Sequence, residues 1–364
     1  MYQIKQIPED FIVKEDMDLK LLKKGRFLYF TVKKKNWTSQ MAVEKIAFKL
    51  NINVNRFSYA GQKDKNALTT QYVAVENILM DKLKTINIKD MILTPKGYAD
   101  NPIRLGSVSS NYFSITIRDL DQPLKNIFSF CNYYDDQRFG GIRPVNPTMG
   151  KLILQGKYED ALKSYLCYPT PEETKEHKQF RKEILSSWGD FKNVRIPGYL
   201  PNEKRVFAYL SAHPKDFIGA IKTIPKRIST LFIQSYQSLI FNKLLSEHVE
   251  HNFENCYKIK TNVGEFYCTD EFFSNKFPLP GHDFKEKSDI FKEEGISLED
   301  FKIKEIPYLT SRTTYREGCV KLNNFLLSDL ENDELNHGRK KQSASFTLPS
   351  GSYATTVIKC IARE

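Results

Sequence analysis

Strand-like alternation at both ends of the chain, with helical texture between them, is the feature that most limits how these 364 residues can fold. Tyr112, Ser114 and Thr116 alternate with Phe113, Ile115 and Ile117, and near the C-terminus Ala344, Phe346 and Leu348 fall at every second position, the period of a half-buried strand. Phe11 to Val13 and Phe27 to Val32 also read as strands. From about Lys151 the period changes: Tyr158, Ala161, Leu162 and Tyr165 form one helical stripe, and Phe232, Tyr236, Ile240 and Leu244 another, both of which read as core. Strand texture returns near Ile306. Two ends that share a texture foreign to the middle predict a discontinuous α+β domain, about 1–154 with 306–364, interrupted by a mostly helical insertion over 155–305.

Local signals add detail. Thr38 or Ser39 caps a helix whose apolar residues Val43, Ile46, Ala47 and Leu50 fall on one face. A helix is expected to lead into Asn132 to Gly140. Leu330 to Lys341 is polar and of mixed charge, which predicts a mobile loop. After L-P-S-G-S a terminal helix begins near Tyr353, with Val357 and Ile361 on its buried side.

Charge narrows the partner. With 55 basic and 44 acidic residues the chain carries a formal charge of +11, which favours a polyanion. Lys33, Lys34 and Lys35 fit a phosphate-tracking role and an edge-strand solubility role equally well. No apolar run approaches a membrane span and the N-terminus lacks a signal-peptide core, so a soluble cytoplasmic protein is expected. The 6 cysteines are scattered without a C-x-x-C pair and are expected to be reduced. His248, His251, Cys256 and Cys268 match no closed zinc spacing, and no metal is expected. No G-x-G-x-x-G or P-loop occurs, which disfavours a nucleotide-cofactor enzyme such as a methyltransferase.

The stretch Phe57 to Val75, F-S-Y-A-G-Q-K-D-K-N-A-L-T-T-Q-Y-V-A-V, places a tight polar loop between two extended flanks. Asp64 stands between Lys63 and Lys65, whose ammonium groups favour the ionised carboxylate if they point toward it. That suits a nucleophile or general base, and K-D-K equally fits a solvated turn. Asn111 and Phe113 lie two apart on one strand and therefore on one face, either as a site or as a core ring beside a strand-end amide.

G-Q-K-D-K-N-A-L-T-T-Q resembles the G-x-K-D-x-x-A-x-T-x-Q motif of the TruD family of tRNA pseudouridine synthases. P-E-D-F-I-V-K-E (8–15), G-S-V-S-S-N-Y-F (106–113), N-Y-Y-D-D-Q-R-F-G (132–140) and F-T-L-P-S-G-S-Y-A-T (346–355) are similar to further family blocks, in family order. S-Y-Q-S-L-I-F-N (235–242) and P-L-P-G (278–281) match within the looser middle. The resemblance implies the pseudouridine synthase fold, a mixed and largely antiparallel sheet with flanking helices, plus the insertion domain, with RNA in a cleft between them.

It also implies isomerisation of uridine in RNA, first of all uridine 13 of tRNA, by a monomer needing no cofactor. Asp64 would be the catalytic carboxylate, attacking C1′ or C6 or abstracting the 2′ proton. Asn111 would orient that carboxylate or the base, and Phe113 would support the extruded uracil. Lys5 corresponds to the basic partner of the aspartate, and Phe11 and Tyr353 to aromatic positions lining the site. The family also uses Phe where Tyr353 stands. A catalytically degenerate protein that binds structured RNA is the alternative.

Overall fold

The computed structural model describes every residue except Met1, Leu105, Tyr199, Lys287 and Glu364. Contacts divide the chain into two units, Met1–Phe128 with Lys321–Ala362, and Ser129–Val320 with the last two residues. The division falls at 128 and 321, not at 154 and 306. The reason lies in the second unit, where the helix Asn146–Leu154 and the turn Pro307–Leu309 both pack on the long helix Lys226–Asn252.

The first unit is built on one mixed sheet. Its strands are β1 (Phe11–Asp16), β2 (Phe27–Lys35), β3 (Phe57–Ser58), β4 (Leu68–Glu76), β5 (Met91–Ala99) and β6 (Ser110–Leu120), joined by Asn323–Leu327, Glu331–Asn332 and Lys340–Pro349. The main path runs Asn323–Leu327, Lys340–Pro349, β6, β1, β4, β2, β5, so both ends of the chain meet at β6. Only β1 with β4 is parallel among the described pairs. Register sets the faces. Phe113 lies opposite Val13 on one side and Phe346 on the other, and Asn111 opposite Glu15 and Leu348. Across β4 and β2 the same face continues through Gln71 and Val32, then Thr69 and Lys34.

The helix Ser39–Leu50 covers part of that face. Thr38 is its cap, the hydroxyl accepting from Met41 N at 3.1 Å, and Asn51 ends it in the left-handed conformation. Ala42, Val43 and Ile46 close on Leu28, Phe30, Val32, Val73 and Val75. The sequence expectation of an apolar stripe at 43, 46, 47 and 50 holds except at Leu50, which is only half-buried.

Two expectations fail for physical reasons. β2 is flanked by β4 and β5, so it is not an edge, and Lys34 is buried with its ammonium on the Trp37 carbonyl at 2.7 Å. Lys35 remains outside, paired with Glu9. The segment 330–341 is pinned rather than loose. Arg118, 3% exposed, holds Asp10 at 2.9 Å, Asp333 at 2.8 Å and Glu334 at 3.1 Å, while Arg339 engages Asp119 and Asp121. A guanidinium buried with several carboxylates gives that polar sequence a fixed place.

In the second unit the helix Lys226–Asn252 runs against Asn146–Leu154, with Met149, Ile153, Phe232, Tyr236 and Ile240 in the core. The predicted stripe at 158, 161, 162 and 165 joins the same core. The segment before Asn132 is a strand, Ser129–Cys131, not a helix; it pairs with Cys319–Lys321 and its three residues are all buried. No helix among the described residues is long and apolar enough to cross a membrane.

Candidate active site

The loop between β3 and β4 is held at both ends by one buried amide. Gln71 accepts from the Ser39 hydroxyl at 2.5 Å and donates to the Gly61 carbonyl at 3.4 Å, and Ser39 Oγ accepts from Lys63 N at 2.9 Å. Both Gln71 and Ser39 are 1% exposed. A hydrogen-bonded pair out of water leaves the loop few alternatives, because breaking either bond strands a buried polar group. Ala67, also buried, closes the turn into β4. The glycine, lysine, alanine and glutamine of the G-x-K-D-x-x-A-x-T-x-Q pattern therefore form the frame on which Asp64 is presented.

Asp64 is paired with Lys5, Nζ to Oδ2 at 2.6 Å. Both side chains keep about a third or a quarter of their surface in solvent, 33% for Asp64 and 26% for Lys5. Lys5 has a backbone φ of +60°, a left-handed conformation that costs a β-carbon residue about 1–2 kcal/mol and persists only where the surroundings impose it. Its ammonium also lies 4.1 Å from the centre of the Phe11 ring.

Lys63 turns away from Asp64. Its ammonium donates to Asn111 Oδ1 at 2.7 Å and stands 3.1 Å from Glu15 Oε1, an ion pair without a well-aligned hydrogen bond. Glu15 is almost fully enclosed and accepts from Tyr72 N at 2.7 Å. Asn111 is thus tied through its carbonyl to the residue preceding Asp64. Beneath them Lys34 is pulled down to about 8, because burial disfavours its charge; the attraction of Asp64 and Glu15 offsets part of that and Lys63 adds to it.

The aromatic residues make a cluster on the same sheet face. Phe113 meets Phe11 edge-on at 6.3 Å and Phe346 in a tilted contact at 5.7 Å. Phe11 and Phe113 are 4% and 8% exposed, so each ring shows at most a rim. Tyr353 is half-buried at the start of the helix Ala354–Ala362, its carbonyl accepting from Thr356 N, just past the strand end where Leu348 pairs Asn111. The structure brings Lys5 to Asp64 and Phe11 to Phe113 by direct contact, and joins Asn111 to the loop through Lys63.

Glu15, Ser39 and Gln71 had no site reading in the sequence, and Lys34 was read only as a phosphate-tracking or solubility lysine. Gln71 and Glu15 lie within motif blocks, which was the available signal; nothing in the sequence tied Lys34 or Ser39 to the loop of Asp64. As for metals, His248 sits among the rings of Phe253, Phe273 and Phe277, and burial lowers its affinity for a proton.

Comparison with known proteins extends the likeness over the whole chain. The family model described as tRNA pseudouridine synthase D (TruD) matches residues 2–263 and 256–361. A probable tRNA pseudouridine synthase D of Methanosarcina barkeri is 31% identical over 98% of this chain and 92% of its own. One from Nanoarchaeum equitans is 31% identical over 100% of this chain and 99% of its own. The crystal structure of a putative tRNA pseudouridine synthase D (TruD) from Methanosarcina mazei superposes with a TM-score of 0.78 at 28% identity, covering 100% of this chain and 93% of that one.

Proposed function

Because this chain belongs to the TruD family of tRNA pseudouridine synthases, we propose that it isomerises a uridine of tRNA, that at position 13, with Asp64 as the catalytic carboxylate. The observation that carries the assignment is the pairing of a part-exposed Asp64 with Lys5 on a loop fixed by buried hydrogen bonds. Catalysis needs the reacting group held in place before substrate arrives, and a framed loop supplies that. Lys5 holds the carboxylate in place through a direct ion pair. The uridine must leave its stack to reach it, and Phe113, backed by Phe11 and Phe346, is the aromatic ring against whose exposed part uracil packs. Asn111, through Lys63, reads or orients the base, and Tyr353 lines the edge.

Uracil detaches from C1′, turns and rejoins through C5, so no electron or group is gained and the chain's own residues suffice. In this reading the first unit, 1–128 with 321–362, is the catalytic domain and the second, 129–320, holds the insertion, and the protein works as a monomer in the cytoplasm. Asp64→Asn tests it. With unmodified tRNA transcript and no additives, mapping by carbodiimide should show a stop at uridine 13 for the parent protein and none for the variant, whose tRNA affinity stays within about threefold. Product at another uridine would refute the position, and turnover by Asp64→Asn would refute the residue.

A further inference from the structure

Three of the sequence blocks that the reaction does not use meet in the second unit. Ser235 and Ser238 of S-Y-Q-S-L-I-F-N bond Arg138 of Q-R-F-G, Oγ of Ser235 donating to the Arg138 carbonyl at 2.7 Å and Arg138 Nε donating to Ser238 Oγ at 3.0 Å. Asn242 bonds both the amide and the carbonyl of Tyr134, at 2.9 and 2.8 Å. Gln237, 5% exposed, donates to the carbonyl of Pro280 in P-L-P-G at 2.7 Å. Gly281 follows, and a β-carbon there would come within 2.4 Å of Arg312 C and 2.5 Å of Ser311 O, so only glycine lets the 311–313 segment close on this turn.

These contacts wall a cavity of about 410 Å³. Its lining includes Arg138, Arg312, Thr230, Gln234, Ser311 and Tyr308, and among the lining residues there is no carboxylate. Arg312 is exposed and has no ion pair among the described residues. Ser311 Oγ is buried without a hydrogen-bond partner. Arg138 is braced by Ser238 and by the Tyr134 ring, 5.2 Å away. The ammonium of Lys226 lies 5.1 Å from the Tyr308 ring at the same wall. The larger cavity of about 780 Å³ elsewhere in this unit carries Glu299, Asp300 and Glu305 beside its lysines, so a purely cationic lining is not a general property of the unit.

Two guanidiniums with neutral donors between them and no acid to neutralise them suit a phosphodiester, which takes bidentate bonds from arginine and further bonds from hydroxyl and amide. The volume is within the range of sites that enclose a ligand larger than a bare ion. We propose that this cavity binds a backbone phosphate and its ribose from the tRNA, as a second point of contact separate from the site of Asp64. The proposal rests on the reading of the protein as a tRNA-modifying enzyme.

Arg312→Glu tests it, since the side chain is exposed and reversal of its charge leaves the core alone. The tRNA dissociation constant, measured across salt concentrations, should rise about tenfold or more, and the slope of log affinity against log salt should become shallower by about one phosphate contact. Thr230→Glu, on the helical wall, should act in the same direction, and the single-turnover rate at saturating tRNA should be unchanged in both. Lys182→Glu, exposed on the helix Lys175–Ser186 of the same unit, makes the same change of net charge and should weaken binding far less. Parental affinity in both cavity variants, or an equal loss in Lys182→Glu, would overturn the proposal. So would a site for inorganic phosphate that Arg312→Glu abolishes while tRNA affinity stays. If the parent protein binds tRNA in this pattern but forms no pseudouridine, the activity reading fails and the cavity assignment stands.

Discussion

Lys34→Met should make the protein more stable and less active at the same time. Lys34 is 1% exposed and its ammonium has the Trp37 carbonyl as its bonded partner. Burial lowers its pKa from 10.5 to about 8, against the attraction of Asp64 and Glu15. A drop of roughly 2.5 units is worth about 3 kcal/mol against the folded state while the group is charged, at 1.36 kcal/mol per unit. The sign follows from proton counts. Between about pH 8 and 10.5 the unfolded chain holds the proton and the folded one does not, so the stability of the parent protein rises through that window. Below pH 8 both states are protonated and the penalty is fully present.

Methionine has nearly the same length and no charge, so the variant escapes the penalty and loses the bond to Trp37 O, which costs about 1–2 kcal/mol. A net gain of about 1–2 kcal/mol at pH 7 should appear as a melting temperature several degrees higher. The advantage should shrink and vanish as the pH is raised from 8 toward 10.5. Single-turnover pseudouridine formation should slow, because Asp64 loses one of the positive charges around it. Differential scanning calorimetry at pH 7, 8.5 and 10, beside the rate assay, reads all of this. A variant that melts below the parent at pH 7, or whose advantage is the same at all three pH values, would refute the reasoning.

Other perturbations probe other contacts. Gln71→Ala removes the amide that holds Gly61 and Ser39, and should cost about 1–3 kcal/mol of stability with a larger loss of turnover than of tRNA affinity; equal losses in both would show that the loop does not depend on it. Arg118→Met leaves Asp10 and Asp333 buried without their cation and should cost about 3–5 kcal/mol by urea unfolding. Burial pushes the Asp333 carboxyl up, but bonds from Asn336, the Asp119 and Leu335 amides and Arg118 outweigh it and hold the group well below the usual carboxylate range. Its contribution is therefore present above about pH 4 and is lost as the pH falls further, so the parent should lose stability through that acid window more steeply than Arg118→Met does.

The outer sheet was legible because its strands alternate and because both ends of the chain show the same period. Asp64, Asn111 and Phe113 were legible as motif residues. What the sequence hid is what register decides. Lys33, Lys34 and Lys35 look alike in one dimension, and only pairing with Thr69 on one side and Met91 on the other turns Lys34 inward. Arg118 meets Asp10 and Asp333 from 108 and 215 residues away, so no local pattern could show that 330–341 is fixed. The lysines flanking Asp64 drew attention by position alone; Lys5 was legible as its partner only through the resemblance, and it reaches Asp64 from a left-handed backbone that nothing in the residue type announces.

Burial of Phe113 sharpens the question of what its ring does. At 8% exposure, between Phe11 and Phe346, it is part of the core by any packing criterion, and Phe113→Ala would open a cavity costing about 3–5 kcal/mol, which confounds stacking with stability. Phe113→Leu separates them. Leucine keeps most of the apolar volume and should cost about 1 kcal/mol of stability if the contact with Phe11 and Phe346 is merely hydrophobic. It also removes the aromatic ring, so if that ring supports the extruded uracil, the loss of about 1–3 kcal/mol of stacking should slow single turnover by roughly five- to 150-fold at a temperature where the variant is fully folded. Phe113→Tyr retains the face and should retain most of the rate once its hydroxyl finds solvent at the exposed rim. A folded Phe113→Leu variant with the parental rate would make Phe113 a packing residue and move the support of the base to Tyr353, the less enclosed aromatic at that end of the sheet.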